Sequence, residues 1–365
     1  MQSSKTASQN QPGRYLARLR ALSAVLFGLV LAASLQASTV RVYIVNDGGT
    51  TISIIDPATN TVVGAVHDVE GPETIHFSPD GSQGYIAKRA ESILNILDTK
   101  TGKIIKRVPL SGRPDDLAVT PDGKLVAVNI QDKPGALDIV DAKSLENIKT
   151  IPTPNGQWLH DVIVTKDSKY AIAGQPDGDE AVVFDLVGQK VAFELPLDEG
   201  IMPLEIQSNA DGSGKLLFLQ LRRTNGFAVF DFAKRTLVAK VNFPEVQGGF
   251  KLRDAFSHGM ALSPDGKTLL LASRPNNAIY AYSLPDLKLL GSVQLPEIKL
   301  ANGTTLGASP NWIAFTPDGK LAYISNTAAN SVSVIDAEAL KLVTNIPVGE
   351  APGKIGVLLI PSGKR

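Results

Sequence analysis

The 365-residue chain has no cysteine, no surplus of either charge and few aromatic residues. Without cysteine it forms no disulfide, carries no c-type haem and offers no thiolate nucleophile. Cysteine-ligated zinc and iron–sulfur clusters are excluded as well. Its 36 basic residues equal its 36 acidic ones, and aromatics make up only 6%. Nucleic-acid binding needs a dense basic stripe with stacking aromatics, so no nucleic-acid partner is expected. The chain also lacks a Gly-x-Ser-x-Gly elbow, a phosphate-cradling loop, a dinucleotide fingerprint and a His-Glu-x-x-His pair. A serine or cysteine hydrolase is therefore disfavoured.

No apolar run is long enough to cross a bilayer. The longest, Ala21 to Ala33, follows Lys5, Arg14, Arg18 and Arg20 and precedes Ser-Leu-Gln-Ala-Ser. Thirteen helical residues span about 20 Å against a bilayer core of about 30 Å. A basic segment, a short apolar segment and a small-residue site, in that order, describe a secretory signal peptide cut near Ala37. An uncleaved N-terminal anchor is the competing reading. Residues 1–37 carry four basic residues and no acid, which leaves 32 basic and 36 acidic residues in 38–365. A mildly acidic mature protein, periplasmic or secreted and without a transmembrane segment, is expected.

What the chain has in abundance is a repeat. Pro-Asp-Gly recurs at Pro79, Pro121, Pro264 and Pro317, with weaker copies at Lys166-Asp167-Ser168, Ala210-Asp211-Gly212 and Pro361-Ser362-Gly363. Proline presets the first turn dihedral, aspartate bonds the local backbone and glycine accepts a positive φ. An alternating, β-branched strand, usually ending in aspartate, closes at Asp56, Asp98, Asp141, Asp185, Asp231, Ser283 and Asp336. From each of the first six turns to the next strand end lie 18 to 20 residues. In the last unit Trp312–Thr316, Leu321–Ser325, Val332–Asp336 and Leu342–Ile346 read as strands a to d. Four short antiparallel strands per repeat make a β-propeller blade. The first unit lacks strand a, and Ile355–Ile360 is a lone strand at the C-terminus. That strand should complete the first blade and remove the two free sheet edges. The fold class is all-β: a single domain, 38–365, forming one seven-bladed propeller, expected to act as a monomer.

Pro310–Pro352 resembles the YVTN-type β-propeller repeat, with Tyr323-Ile324-Ser325-Asn326 and Tyr43-Ile44-Val45-Asn46 at its namesake position. The resemblance covers about 40–365. It is weaker in blades 4 and 5, whose turns lack proline. It implies an exported bacterial or archaeal propeller and says little about function. A looser similarity extends to lactonase-like propellers and amine dehydrogenase heavy chains.

Both sets of aspartates read as turn-formers that satisfy backbone donors. Candidate function lies at the channel mouth. Counting five and six residues back from each turn gives Glu73 and Thr74, Asp115 and Asp116, His160 and Asp161, and Leu204 and Glu205. The remaining blades give His258 and Gly259, Asn311 and Trp312, and Ile355 and Gly356 beside Lys354. Consecutive strand residues point to opposite faces, so ligation by both His160 and Asp161 would need a distorted strand start. His160, His258 and Glu205 are the candidate ligands of a divalent metal, which imidazole and carboxylate suit. His76, within strand a, is expected inside the sheet stack, and His67 near the rim is incidental. The b–c loops on the same face hold Lys88, Arg89, Lys133, Arg222, Arg223 and Arg274, whose guanidinium forks suit anions. The connections Asn242–Ser257 and Gln294–Pro310 are eight to ten residues longer than the others, as a lid would be.

These features favour a propeller that binds a protein or small-molecule partner on the d–a and b–c face, with Trp158, Trp312 and Arg223 contributing. The alternative is a metal- or histidine-assisted hydrolase or lactonase at the channel mouth. A third reading, from the resemblance alone, is an accessory subunit of a periplasmic redox complex.

Overall fold

Each repeat folds as the turn chemistry dictates. In the computed structural model, which describes residues 39–69, 71–244 and 257–360, Gly319 takes φ +72° and its N–H donates to the Thr316 carbonyl. The Thr316 hydroxyl and the Lys320 N–H both donate to Asp318, at 2.6 and 3.1 Å. The same hydroxyl-to-aspartate contact recurs at Ser78, Thr120, Thr165 and Ser263. The strand-end aspartates are occupied as expected. Asp141 accepts from the N–H groups of Lys143 and Ser144, at 3.0 and 2.7 Å. Asp56, Asp98, Asp185, Asp231 and Asp336 do likewise.

These turns join seven four-stranded antiparallel sheets. Blade 1 runs, from inside outward, Pro352–Ile360, Thr39–Asn46, Ile52–Asp56 and Thr61–Val66, so the last strand of the chain is the innermost strand of the first blade. Its register, Ile355 opposite Ile44 and Val357 opposite Val42, closes the ring. The strand starts three residues earlier than the sequence pattern indicated, and Lys354 thereby becomes part of it. Among the described residues the only helical turn is Thr327–Ala329. The inner strands of blades 2 to 7 begin at Pro72, Pro114, His160, Ile201, Ser257 and Pro310.

Adjacent blades pack face to face through apolar side chains. Ile172 and Val183 of blade 4 share one cluster with Leu204, Leu217 and Leu219 of blade 5. Burying each such side chain contributes about 1.5–3 kcal/mol, so repeated layers stabilise a ring that has no disulfide. The connection Gln294–Pro310 forms a small hairpin, Glu297–Lys299 against Thr305–Gly307. Asn277 pins it through the Leu295 carbonyl and the Ala308 N–H. The segment expected to be a signal peptide, most of Asn242–Ser257 and the expected Pro361-Ser362-Gly363 turn lie outside the described residues.

One irregularity is common to the ring. The inner strands of blades 2 to 7 each slip register near their start, at Pro72/Thr74, Pro114/Leu117, His160/Val162, Ile201/Leu204, Ser257/Met260 and Pro310/Ile313. A β-bulge re-aims side chains. At blade 4 it lets His160 line one cavity and Asp161 another.

Candidate functional site at the channel mouth

At blade 4 the bulge sits on Asp161, which takes φ +49°. A positive φ is uncommon for a residue with a side chain. His160 consequently faces the mouth, while the Asp161 carboxylate turns down the channel to accept the Leu204 N–H at 2.9 Å. In blade 6 the bulge falls on Gly259, where a Cβ would lie 1.9 Å from the Asn311 carbonyl oxygen. Only glycine permits that approach. It lets His258 Nδ1 face the same oxygen at 3.4 Å.

The mouth is a cavity of about 500 Å³. His160 and His258 meet in it with their Nε2 atoms 3.3 Å apart. The Trp312 ring lies parallel to His160, 7° between planes, and edge-on to His258 with centroids 4.8 Å apart. Trp158 meets His160 edge-on and donates its indole N–H to Asp177 at 2.6 Å. Both histidines are buried. Burial depresses both pKa values, and Arg274 and His160 push His258 further down, so both rings are neutral near pH 7. The His258 Nδ1–H points to Asn311, which leaves its Nε2 to accept from His160 Nε2–H. Asp115 Oδ2 stands 4.0 Å from His160 Nε2 and has no hydrogen-bond partner.

Carboxylates and guanidinium groups alternate around this aromatic floor. Arg89 meets Glu73 at 2.6 Å and Asp47 at 3.9 Å. Burial and the Asp115 charge still push Glu73 up to about 8 against the pull of Arg89. Arg222 pairs with Asp177 and also donates to the Pro176 carbonyl at 3.0 Å. Arg274 donates to Asn311 Oδ1 at 2.7 Å, and burial alone lowers it to about 10.

Below the mouth Lys354 plugs the channel. Its Nζ lies 4.0 Å over the Trp312 ring, 2.5 Å from Asp116 and 3.3 Å from Asp161. Burial pulls Lys354 down, but the three carboxylates Asp116, Asp161 and Asp115 outweigh it and raise it. Burial raises Asp161 well above the carboxylate range. Burial opposes Asp116 too, yet Lys354, Asp161 and His76 hold it below that range. A second cavity, about 310 Å³, lies beyond the plug toward the a–b turns, with His76, Asp116, Asp161 and Glu205 among apolar walls. Glu205 is pushed up to about 7 by burial, against two backbone N–H groups.

The ring inferred from sequence thus divides in two. Glu73, His160, His258, Asn311 and Trp312 line the mouth with Arg89, Arg222 and Arg274, and Asp115 stands behind His160. Asp116, Asp161 and Glu205 face the second cavity, so Glu205 does not join the two histidines. Among the described residues no three His, Asp or Glu side chains are grouped to hold a metal ion. Arg223 lies outside both cavities and pairs with Asp179. His76, expected inside the sheet stack, instead lines the second cavity 3.8 Å from Asp116, because in the regular register of its strand its side chain falls on the channel face. Asp47, Pro176, Met202 and Gly353 also line the mouth. They sit on b–c loops or one to two residues beyond the counted positions.

The fold is shared widely. Solved structures similar to the chain include hydrazine synthase of Kuenenia stuttgartiensis, with TM-score 0.67 and 20% identity, covering 80% of this chain and 91% of that one. Another is the periplasmic gluconolactonase PpgL of Pseudomonas aeruginosa, with TM-score 0.69 and 16% identity, covering 89% and 99%. At such identities the likeness carries the fold alone. Among curated proteins, PE-PGRS family protein PE_PGRS18 of Mycobacterium tuberculosis is 46% identical over 39 residues, 11% of this chain. The chain spans only 8% of that relative's length. From residue 19 to residue 361 the sequence matches the YNCE-like beta-propeller family, and the chain belongs to it.

Proposed function

We propose that this chain is an exported binding protein whose site is the channel mouth and whose ligand is a small molecule. One observation carries the reading. Trp158, His160, His258 and Trp312, from the starts of three blades, converge in one cavity of about 500 Å³. Concave pockets with aromatic walls and a few convergent polar groups are the usual form of a ligand site. Strands position His160, His258 and Trp312, and Trp158, on the loop just before His160, is held by its indole N–H bond to Asp177, so binding needs little ordering. The N-terminal sequence supports export, and a closed ring supports action as a monomer. A small-molecule screen followed by calorimetry tests the reading. Hits should lose at least tenfold in affinity in Trp312→Ala and His258→Ala, and hits indifferent to both substitutions overturn it.

A second reading, a histidine-assisted hydrolase acting on an ester or lactone, is favoured by the neutral His160–His258 pair with Asp115 behind it. A neutral imidazole beside a carboxylate is suited to general-base catalysis. Turnover of a lactone panel, lost in His160→Ala, supports this reading, and absence of turnover across the panel removes it.

A further inference from the structure

Among the described residues every cation lining or plugging the mouth but one has an acid beside it. Arg89 has Glu73 and Asp47, Arg222 has Asp177, and Lys354 has Asp116 and Asp161. Among the described residues Arg274 has none. Its side chain donates there only to the neutral Asn311 amide, and its Nε is buried without a partner. No acid contributes to its titration, only burial. Yet Arg274 lines the cavity between the Asn311 and His258 walls. A half-buried guanidinium without a counter-charge is costly. At the wall of an open cavity it offers an anion a charge-assisted hydrogen-bonding position.

We propose that Arg274 is the anchor for the carboxylate of a small monoanionic ligand, the ligand's body lying between the Trp158 and Trp312 indoles. This rests on the mouth being a binding site, as proposed above. The charge balance selects the class. Arg274 has no acid beside it, while the Asp115 carboxylate stands behind His160 with a charge that repels a dianion such as a phosphate monoester. A guanidinium fork fits a two-oxygen carboxylate in its own plane. The flat indole and imidazole faces favour a ligand with a planar or ring-shaped body, which stacks at little entropic cost.

The test uses the full chain, with benzoate, its neutral analogue benzamide, acetate and phosphate as probes at constant ionic strength. Thermal shift and tryptophan emission are the readouts. Benzoate should raise the melting temperature and change the emission, acetate should do so more weakly, and benzamide and phosphate should do neither. Arg274→Met should weaken benzoate at least tenfold and, without ligand, melt higher than the parent, because the uncompensated charge is gone. Arg274→Lys should keep a weaker response, having the charge without the fork. Phosphate binding in preference to benzoate overturns the carboxylate assignment. Equal binding of benzamide and benzoate overturns the anion proposal and leaves the mouth as a ligand site. An Arg274→Met protein that melts no higher and binds benzoate as the parent does overturns the role of Arg274. No response to any probe, in a protein whose screening hits still map to the mouth, overturns the monoanion class alone.

Discussion

His160 and His258 lie 98 residues apart in sequence, yet their Nε2 atoms meet 3.3 Å apart at the channel mouth. Each lies within the first two residues of an inner strand, of blades 4 and 6, beside a bulge. Both rings are neutral, and a proton on either would face the other ring across that gap.

That arrangement makes stability depend on acid. Both histidines titrate below their ordinary value of 6.5 in the folded chain, so the unfolded chain takes up their protons first as pH falls. Their contribution is present above about pH 6.5 and is lost below it. The melting temperature of His258→Gln should therefore fall less between pH 7.5 and 5.5 than that of the parent. An equal fall in both would place the histidine charges elsewhere.

Glu205 has the opposite sign. Its folded pKa is raised from 4.5 to about 7, so the native state holds the proton longer than the unfolded one. Stability from this group is present at low pH and declines as pH rises through that window. Glu205→Gln, which keeps the shape without the charge, should gain more over the parent at pH 8 than at pH 4.5, as read by urea denaturation. A constant offset would show that the carboxyl reaches water freely.

Lys354 ties ring closure to the site, since the closing strand supplies the cation that crosses to Asp116 and Asp161. Lys354→Met should cost about 3–5 kcal/mol, because it leaves a buried carboxylate unpaired. Adding Asp116→Asn should recover part of the loss. Additive losses in the double variant would mean that the lysine contributes by packing alone.

The turn aspartates belong to the scaffold. Asp141→Ala removes an acceptor from two backbone N–H groups and should cost about 1 kcal/mol in chemical denaturation, with ligand affinity unchanged. A change in affinity would move these carboxylates from scaffold to site.

The sequence pattern carried the blades, their turns and the closing strand, because hairpin turns and alternation are local and repeat seven times. It also carried the depth of His160, His258 and Trp312, since each lies at a fixed count before a turn. It did not carry which way each residue of a pair points. That depends on the bulges, as at Asp161 with its positive φ, and strict alternation has no signal for a bulge. Hence Glu205 was grouped with the histidines, whereas it lines the second cavity, as does His76, expected in the core. Nor did the pattern single out Arg274 among the loop arginines. Its distinction is the absence of an acid partner in space, and loop spacing does not encode that.

The two tryptophans of the chain, Trp158 and Trp312, both line the mouth cavity, so intrinsic emission reports that cavity and little else. Titrating the protein with its screening hits while following this emission is the most direct measurement of the central claim. A saturable change that tracks binding by calorimetry is expected, with its midpoint moved at least tenfold to higher ligand concentration in Trp312→Ala, where Trp158 still reports the cavity. Ligands that bind by calorimetry without altering emission, and that are lost in Glu205→Gln, would contradict it by placing the site beyond Lys354.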